Sequence, residues 1–397
     1  MKSIKDINFS NKKVIVRVDF NVPLDSNFEI TDDTRIRGAM PTIEKLLNDG
    51  AAVILMSHLG RPKGEFKPEF SLAPVAKELT KKLGRNIVFI SEILTDKVLS
   101  AAKNLKSGEV MLLENLRFSA GETKGDEKLA RTLASMADIY INDAFGTAHR
   151  RHASTAVIAD FFPTEKYFGL LMEHEIINLE RALKTKETPY TAVIGGAKVS
   201  SKIDIIQNLI PKVDNMIIGG GMSFTFIKAL GGNIGSSLYE EDKLDLAKEI
   251  LDEMIQAGIN IYLPFDVVIA DKFDNDANKK TVDANKIPDG WMGLDIGPKS
   301  TQKFVQAVIN SRMILWNGPM GVFEMDNFAK GTKAVAIAVS AASAGGAFTA
   351  IGGGDSVAAI NKYDLADMLT YVSTGGGAML EYLEGKTLPG IAAILGK

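Results

Sequence analysis

The chain contains no cysteine. Disulfides, cysteine–zinc sites and thiol nucleophiles are therefore excluded. It also lacks a strong charge of either sign. The formal net charge is −3, which argues against a general nucleic-acid binder. No long apolar run is present. The most apolar window, 334–350, is broken by Ser340, Ser343, Gly345 and Gly346, and reads as a buried helix and turn. The first residues, Met1 to Asp6, show no apolar core of a secretory signal, so a soluble cytoplasmic protein and no membrane contact are expected. Several catalytic motifs are missing too. There is no G-x-x-x-x-G-K-[ST] loop, since Leu380 stands where Gly385-Lys386-Thr387 would need its first glycine. No H-R-D or D-F-G pair, G-x-S-x-G elbow or H-E-x-x-H helix appears.

What is present is unevenly placed. Nine of the eleven arginines precede residue 180, and 26 of the 36 glycines follow residue 190. Arginine grips carboxylates and phosphates with two parallel hydrogen bonds, whereas glycine lets backbone approach a ligand. The first half is thus expected to hold a small anion with side chains, and the second half to hold one with backbone. At 397 residues, two domains are expected.

Apolar runs alternate with helical stretches such as Leu72–Leu83 and Lys243–Ala257. Strands are expected near Val14–Val18, Val53–Met56, Ile87–Ile90, Val110–Leu113 and Ile139–Ile141, then near Ala192–Ile194, Met216–Ile218, Ile261–Leu263, Met313–Trp316, Phe348–Ile351 and Thr370–Val372. Continuously apolar strands between helices imply parallel sheets covered on both faces. The expected fold class is α/β, with two doubly wound, Rossmann-like parallel-sheet domains. The first spans 1–172 and the second 188–379. The charged stretch 173–187 forms an interdomain helix and hinge, and a tail covers about 380–397.

Ligands in open α/β sheets sit beyond the carboxyl ends of the strands. In the first half those ends carry Arg17-Val18-Asp19-Phe20-Asn21, His58-Leu59-Gly60-Arg61, Asn115-Leu116-Arg117 and His149-Arg150-Arg151-His152, joined by Arg35 and Arg37. Four strand-end segments and the Arg35–Arg37 stretch, sharing cationic chemistry, point to a small, multiply anionic ligand. In the second half the ends are Gly195-Gly196-Ala197-Lys198 with Lys202, Gly219-Gly220-Gly221, Asn317-Gly318-Pro319 with Glu324, Gly352-Gly353-Gly354-Asp355-Ser356, and Gly375-Gly376-Gly377. Together these describe a nucleotide site, with apolar flanks for a base, Glu324 for a ribose hydroxyl, lysines for phosphate and an aspartate for Mg²⁺. Asp355 has two readings, metal holder or helix N-cap. Two rivals share the architecture. An NAD-dependent dehydrogenase would need G-x-G-x-x-G where this chain has G-G-G runs, and a solute-binding protein would carry a signal peptide.

The ordered segments Arg17–Pro23, Thr31–Arg37, Ser57–Gly64, Leu113–Phe118, Asn142–Ser154, Gly195–Lys202, Gly219–Thr225, Trp291–Pro298, Trp316–Glu324, Ile351–Ser356 and Val372–Gly377 resemble those of the phosphoglycerate kinase family over essentially the whole chain. The resemblance implies ATP- and Mg²⁺-dependent interconversion of 3-phosphoglycerate and 1,3-bisphosphoglycerate by direct in-line transfer after hinge closure, in a cytoplasmic monomer. It implies triose contacts at Asp19, Phe20, Asn21, Arg35, His58, Leu59, Gly60, Arg61, Arg117 and Arg150. It implies nucleotide contacts at Gly195, Ala197, Lys198, Lys202, Gly219, Gly293, Asn317, Pro319, Glu324, Gly352, Gly353, Gly354, Asp355 and Ser356, with Asp355 near Mg²⁺. Arg35, Lys202 and the backbone near Gly353 and Gly376 are expected to meet the transferring phosphoryl group. Arg151 departs from the family pattern, which has a small residue there, and leaves open which of Arg150 and Arg151 faces substrate. The family's tail packs back onto the N-terminal domain, which here corresponds to roughly Leu388–Lys397.

Overall fold

A computed structural model describes residues 2–185 and 187–396. The chain divides into two compact units, Met1–Ile177 with Lys386–Lys397, and Asn178–Gly385. The charged helix expected at the junction runs from Leu170 to Lys184, and the division falls within it.

The first unit holds β1 (Lys13–Val18), β2 (Ala52–Met56), β3 (Ile87–Phe89), β4 (Val110–Leu112), β5 (Ile139–Asp143) and β6 (Lys166–Phe168). They form one sheet in the order β3-β4-β2-β1-β5-β6, with every pair parallel. The central strands are buried along their whole length, apart from the first residue of β1. That burial is why they read as continuous Val/Ile/Leu runs without alternation. β6, with the sequence Lys-Tyr-Phe, is too short and too polar to stand out as a strand in sequence.

The second unit holds β7 (Tyr190–Ile194), β8 (Asn215–Ile218), β9 (Asn233–Ile234), β10 (Asn260–Tyr262), β11 (Asp266–Ala270), β12 (Lys279–Asp283), β13 (Lys286–Ile287), β14 (Met292–Ile296), β15 (Met313–Asn317), β16 (Phe348–Gly352) and β17 (Tyr371–Val372). Its main sheet is again all parallel, in the order β10-β8-β7-β15-β16-β17. A second, antiparallel sheet, β12-β11-β14, was not foreseen. Its outer strand, Lys-Lys-Thr-Val-Asp, is largely exposed and lacks the apolar run by which the parallel strands are recognised. The helix after β16 runs from Gly354 to Lys362, and the chain then turns through a left-handed Asp364 (φ 54°).

In each unit the chain reverses its direction of winding beside the first strand. β1 lies between β2 and β5, and β7 lies between β8 and β15. The crevice at such a reversal is where open α/β sheets take ligands.

The antiparallel sheet is tied to the rest of its unit by a buried carboxylate. Asp266, at the start of β11, accepts hydrogen bonds from the Lys299 and Ser300 amides (3.1 and 2.8 Å) and from the Ser300 hydroxyl (2.7 Å), and so caps helix Pro298–Ile309. Replacing Asp266 with Ala leaves those donors unpaired. It is expected to lower the unfolding free energy by about 1–3 kcal/mol, seen as a lower urea midpoint. An unchanged midpoint would show that the cap carries no stability.

Candidate active site

In the first unit, β1 delivers a fully buried Arg17 and, just beyond, Asp19, Phe20 and Asn21. Asp19 forms an ion pair with Arg35 of helix Thr34–Asn48. Burial works to raise the Asp19 carboxyl, but Arg35 and the other neighbouring cations outweigh it and hold the group below its ordinary value. Phe20 is buried, and its amide donates to the Ser57 hydroxyl at 2.8 Å. The Asn21 side chain accepts from the Gly60 amide at 2.8 Å. The Gly60 carbonyl accepts from Arg117 (2.8 Å) and the Leu59 carbonyl from Asn115 (2.7 Å). The loops after β1, β2 and β4 are therefore one hydrogen-bonded assembly.

The charge within it is crowded. Arg117 is pushed down to about 10, by burial first and then by Arg17 and Arg150. Burial drives His58 well below its ordinary range, so its imidazole is neutral at pH 7. His152 falls to about 4, by burial and then by the surrounding arginines. Such a set costs self-repulsion that a multiply charged anion would relieve. Arg61 and Arg150 are exposed at its rim. Arg150 is the one whose charge reaches Arg117 and His152, whereas Arg151 lies 3.6 Å from Asp160.

In the second unit a cavity of about 650 Å³ opens beside the ends of β7, β8 and β15. That volume suits a nucleotide-sized ligand. Ala197, Gly293, Pro319, Glu324 and Asp355 line it. Gly196, Gly220, Gly221 and Gly321 line it as well, while Gly195 and Gly219 pack behind it against Pro319 and Met320. A Cβ on Gly195 would lie 2.1 Å from the Pro319 carbonyl oxygen, so no larger residue fits. The Lys202 ammonium donates to the Asn317 side chain, whose amide in turn donates to the Gly352 carbonyl at 2.8 Å. Burial lowers Lys202, and Asp355 opposes that shift, which places the carboxylate within electrostatic reach of the lysine. Ser356 is buried and its hydroxyl accepts from the Gly318 amide at 2.6 Å. Lys198 and Gly354 are exposed.

Asp355 is not the helix N-cap. That position is Gly353, with φ 88°, a conformation that glycine adopts without strain. Gly376 likewise precedes helix Gly377–Leu383. Asp355 stands exposed in the first turn, and no side-chain hydrogen bond caps the helix. Among the described residues no group of three or more His, Asp or Glu side chains is arranged to hold a metal. Mg²⁺ is usually bound by one or two carboxylates together with substrate phosphates, so a single accessible aspartate beside a phosphate-sized glycine loop fits that ion.

Residues of the antiparallel sheet complete the cavity. Val267, Met292, Leu294 and Ile296, with Phe224, Leu238 and Val322, supply its apolar wall. Sequence reasoning missed them because that sheet was missed. The only signal was the Trp291–Pro298 segment.

The two units together define a two-domain α/β protein, one unit carrying a cationic strand-end cluster and the other a glycine-lined cavity beside a lysine and an aspartate. The phosphoglycerate kinase family model matches residues 4–386. The chain is 53% identical to the phosphoglycerate kinase of Porphyromonas gingivalis, over 99% of this chain and 100% of that one. It is 55% identical to that of Thermosipho africanus, over 100% and 98%. The structure of phosphoglycerate kinase from Coxiella burnetii superposes with a TM-score of 0.90 at 40% identity, covering 99% of this chain and 98% of that one. The chain belongs to the phosphoglycerate kinase family. Its activity is the family's glycolytic one, reversible phosphoryl transfer between 1,3-bisphosphoglycerate and ADP to give 3-phosphoglycerate and ATP, with Mg²⁺.

Asp295, at the cavity wall, accepts from the Ile296 and Gly331 amides (both 2.9 Å), yet burial raises it from 3.8 to about 7. A group raised in the native state contributes stability that is full below its unfolded value and is lost as pH rises through its folded value. The unfolding free energy of the wild type should therefore fall relative to Asp295→Asn between pH 4 and pH 7. Denaturation curves with parallel pH dependence in the two proteins would contradict this.

Proposed function

We propose that the first unit holds the triose substrate and the second the nucleotide. The reading is supported by one observation: in each unit the expected ligand residues collect where the winding of its own sheet reverses, cations beside β1 and glycines beside β7. Asp19, Phe20, Asn21, His58, Leu59, Gly60, Arg61, Arg117 and Arg150 surround 3-phosphoglycerate. Gly195, Ala197, Gly219, Gly293, Pro319 and Glu324 receive base and ribose, while Lys198, Asn317, Gly352 to Gly354 and Ser356 meet the phosphates.

The nucleophile of the reverse reaction is a carboxylate that is already ionised, so no general base is required. What the protein must supply is positioning and charge. Arg35 and Lys202 act as side-chain clamps on the moving phosphoryl group, and backbone amides near Gly353 and Gly376 add hydrogen bonds from helix N-termini. Asp355 holds Mg²⁺, which when bound neutralises charge on the nucleotide phosphates.

A coupled assay tests the assignment, with Mg-ATP and 3-phosphoglycerate as substrates and glyceraldehyde-3-phosphate dehydrogenase consuming the product with NADH. Arg35→Ala and Lys202→Ala should each reduce kcat by roughly 10³-fold, as for other phosphoryl clamps, with an unchanged circular dichroism spectrum. Near-normal turnover in either would remove that residue from the clamp.

Transfer without hydrolysis requires the two ligands to meet with water excluded, so binding of both closes the hinge. The protein works in the cytoplasm as a monomer without nucleic-acid or membrane partners; no helix among the described residues is long and apolar enough to cross a membrane. Small-angle scattering tests both points. It should report a mass near 42.9 kDa and a smaller radius of gyration with both ligands than with neither. A doubled mass, or no compaction, would overturn the corresponding statement.

A further inference from the structure

Arg17 is an unusual residue for the central strand of a sheet. It is a guanidinium with no solvent exposure, one strand-end behind the proposed substrate contacts. A buried charge persists only when its donors are satisfied. Each of its three nitrogens has a partner. Nε donates to the Ser154 hydroxyl at 2.9 Å, Nη1 to the Val18 carbonyl, and Nη2 lies 3.0 Å from Nδ1 of His58.

The polarity of this chain of bonds is fixed by chemistry. Arginine has donors only, so His58 Nδ1 must accept. A neutral imidazole carries one hydrogen, which then resides on Nε2. The other end is fixed as well. Glu122 is fully buried and receives the Ser154 hydroxyl at 2.6 Å and the Ser154 amide at 3.0 Å, which turns the serine oxygen's free lone pairs toward Arg17. The Asp19 carboxylate, whose charge also reaches the ring, is taken up by Arg35 and by the Asn21 amide at 3.2 Å.

We propose that Arg17, held by Ser154, which Glu122 in turn orients, is a positioning residue that locks His58 as its Nε2–H tautomer, so that the bound 3-phosphoglycerate meets an uncharged hydrogen-bond donor there. Arg17, Ser154 and Glu122 are buried and act through His58. The statement about substrate rests on the assignment of His58 to the triose site; the tautomer lock does not.

Nitrogen-15 NMR of the imidazoles tests the lock directly, with the His58 signals assigned from a His58→Gln sample. In the wild type between pH 6 and 8, the proposal requires a protonated Nε2 and a bare Nδ1. An Nδ1–H tautomer or an imidazolium overturns it without recourse to any variant. In Ser154→Ala the tautomers should mix. KM for 3-phosphoglycerate should rise about tenfold, the loss of roughly one buried hydrogen bond, while kcat and KM for ATP stay within about twofold. Ser154→Thr, which restores the hydroxyl, should recover both readouts. A Ser154→Ala protein with a single Nε2–H signal and unchanged KM for 3-phosphoglycerate overturns the role of Ser154. A wild type that shows the Nε2–H signal but does not turn over 3-phosphoglycerate upholds the lock and removes the functional assignment instead.

Discussion

A parallel sheet sends the carboxyl ends of all its strands to one edge, and most of this molecule follows from that constraint. Residues far apart in sequence become neighbours because the strands before them run in register: Arg17 pairs with Met56 and with Asn142, and Asn317 pairs with Ile194 and with Gly352. The loops after those strands share one rim. In the first unit the rim is bound together by side chains reaching across to backbone, as with Asn21 to Gly60 and Arg117 to Gly60. In the second, it is bound together by glycines so closely packed that backbone touches backbone, as at Gly195 against Pro319.

The rims solve one electrostatic problem in two ways. The first gathers cations and balances them with few carboxylates, chiefly Asp19 beside Arg35 and Glu122 beneath Ser154. The second carries less side-chain charge and more glycine backbone, with Lys202 tethered by Asn317. Side-chain charge suits a small ligand whose anionic groups must be gripped from several directions. Backbone donors suit a chain of phosphates passing close to a glycine loop.

The parallel sheets were legible in the sequence because a strand buried on both faces must be apolar at every position, as Ala-Val-Ile-Leu-Met in β2 and Met-Ile-Leu-Trp-Asn in β15 illustrate. The strand-end residues were legible because chemistry clustered after each run. The apolar wall of the cavity in the second unit was not, since β11, β12 and β14 pair antiparallel with one strand exposed, and an exposed Lys-Lys-Thr-Val-Asp resembles a loop. The burial of Arg17 and Glu122 was not legible either. Sequence shows that an arginine precedes Asp19, but only the packing shows that it faces inward while Arg35 faces the aspartate. Asp355 remained ambiguous until the backbone made Gly353 the cap.

The helix Pro389–Leu395 rests against the loop that leads to Arg150. The Gly390 amide donates to the Ala148 carbonyl at 2.8 Å, and Asn142 reaches back to the Gly390 carbonyl. These residues belong to the first unit yet follow the whole of the second in the chain. A ribosome must therefore make all of the second unit before the loop that leads to Arg150 receives its backing. The order of synthesis keeps the first unit incomplete until its companion exists, and ties two separately cored halves into one product.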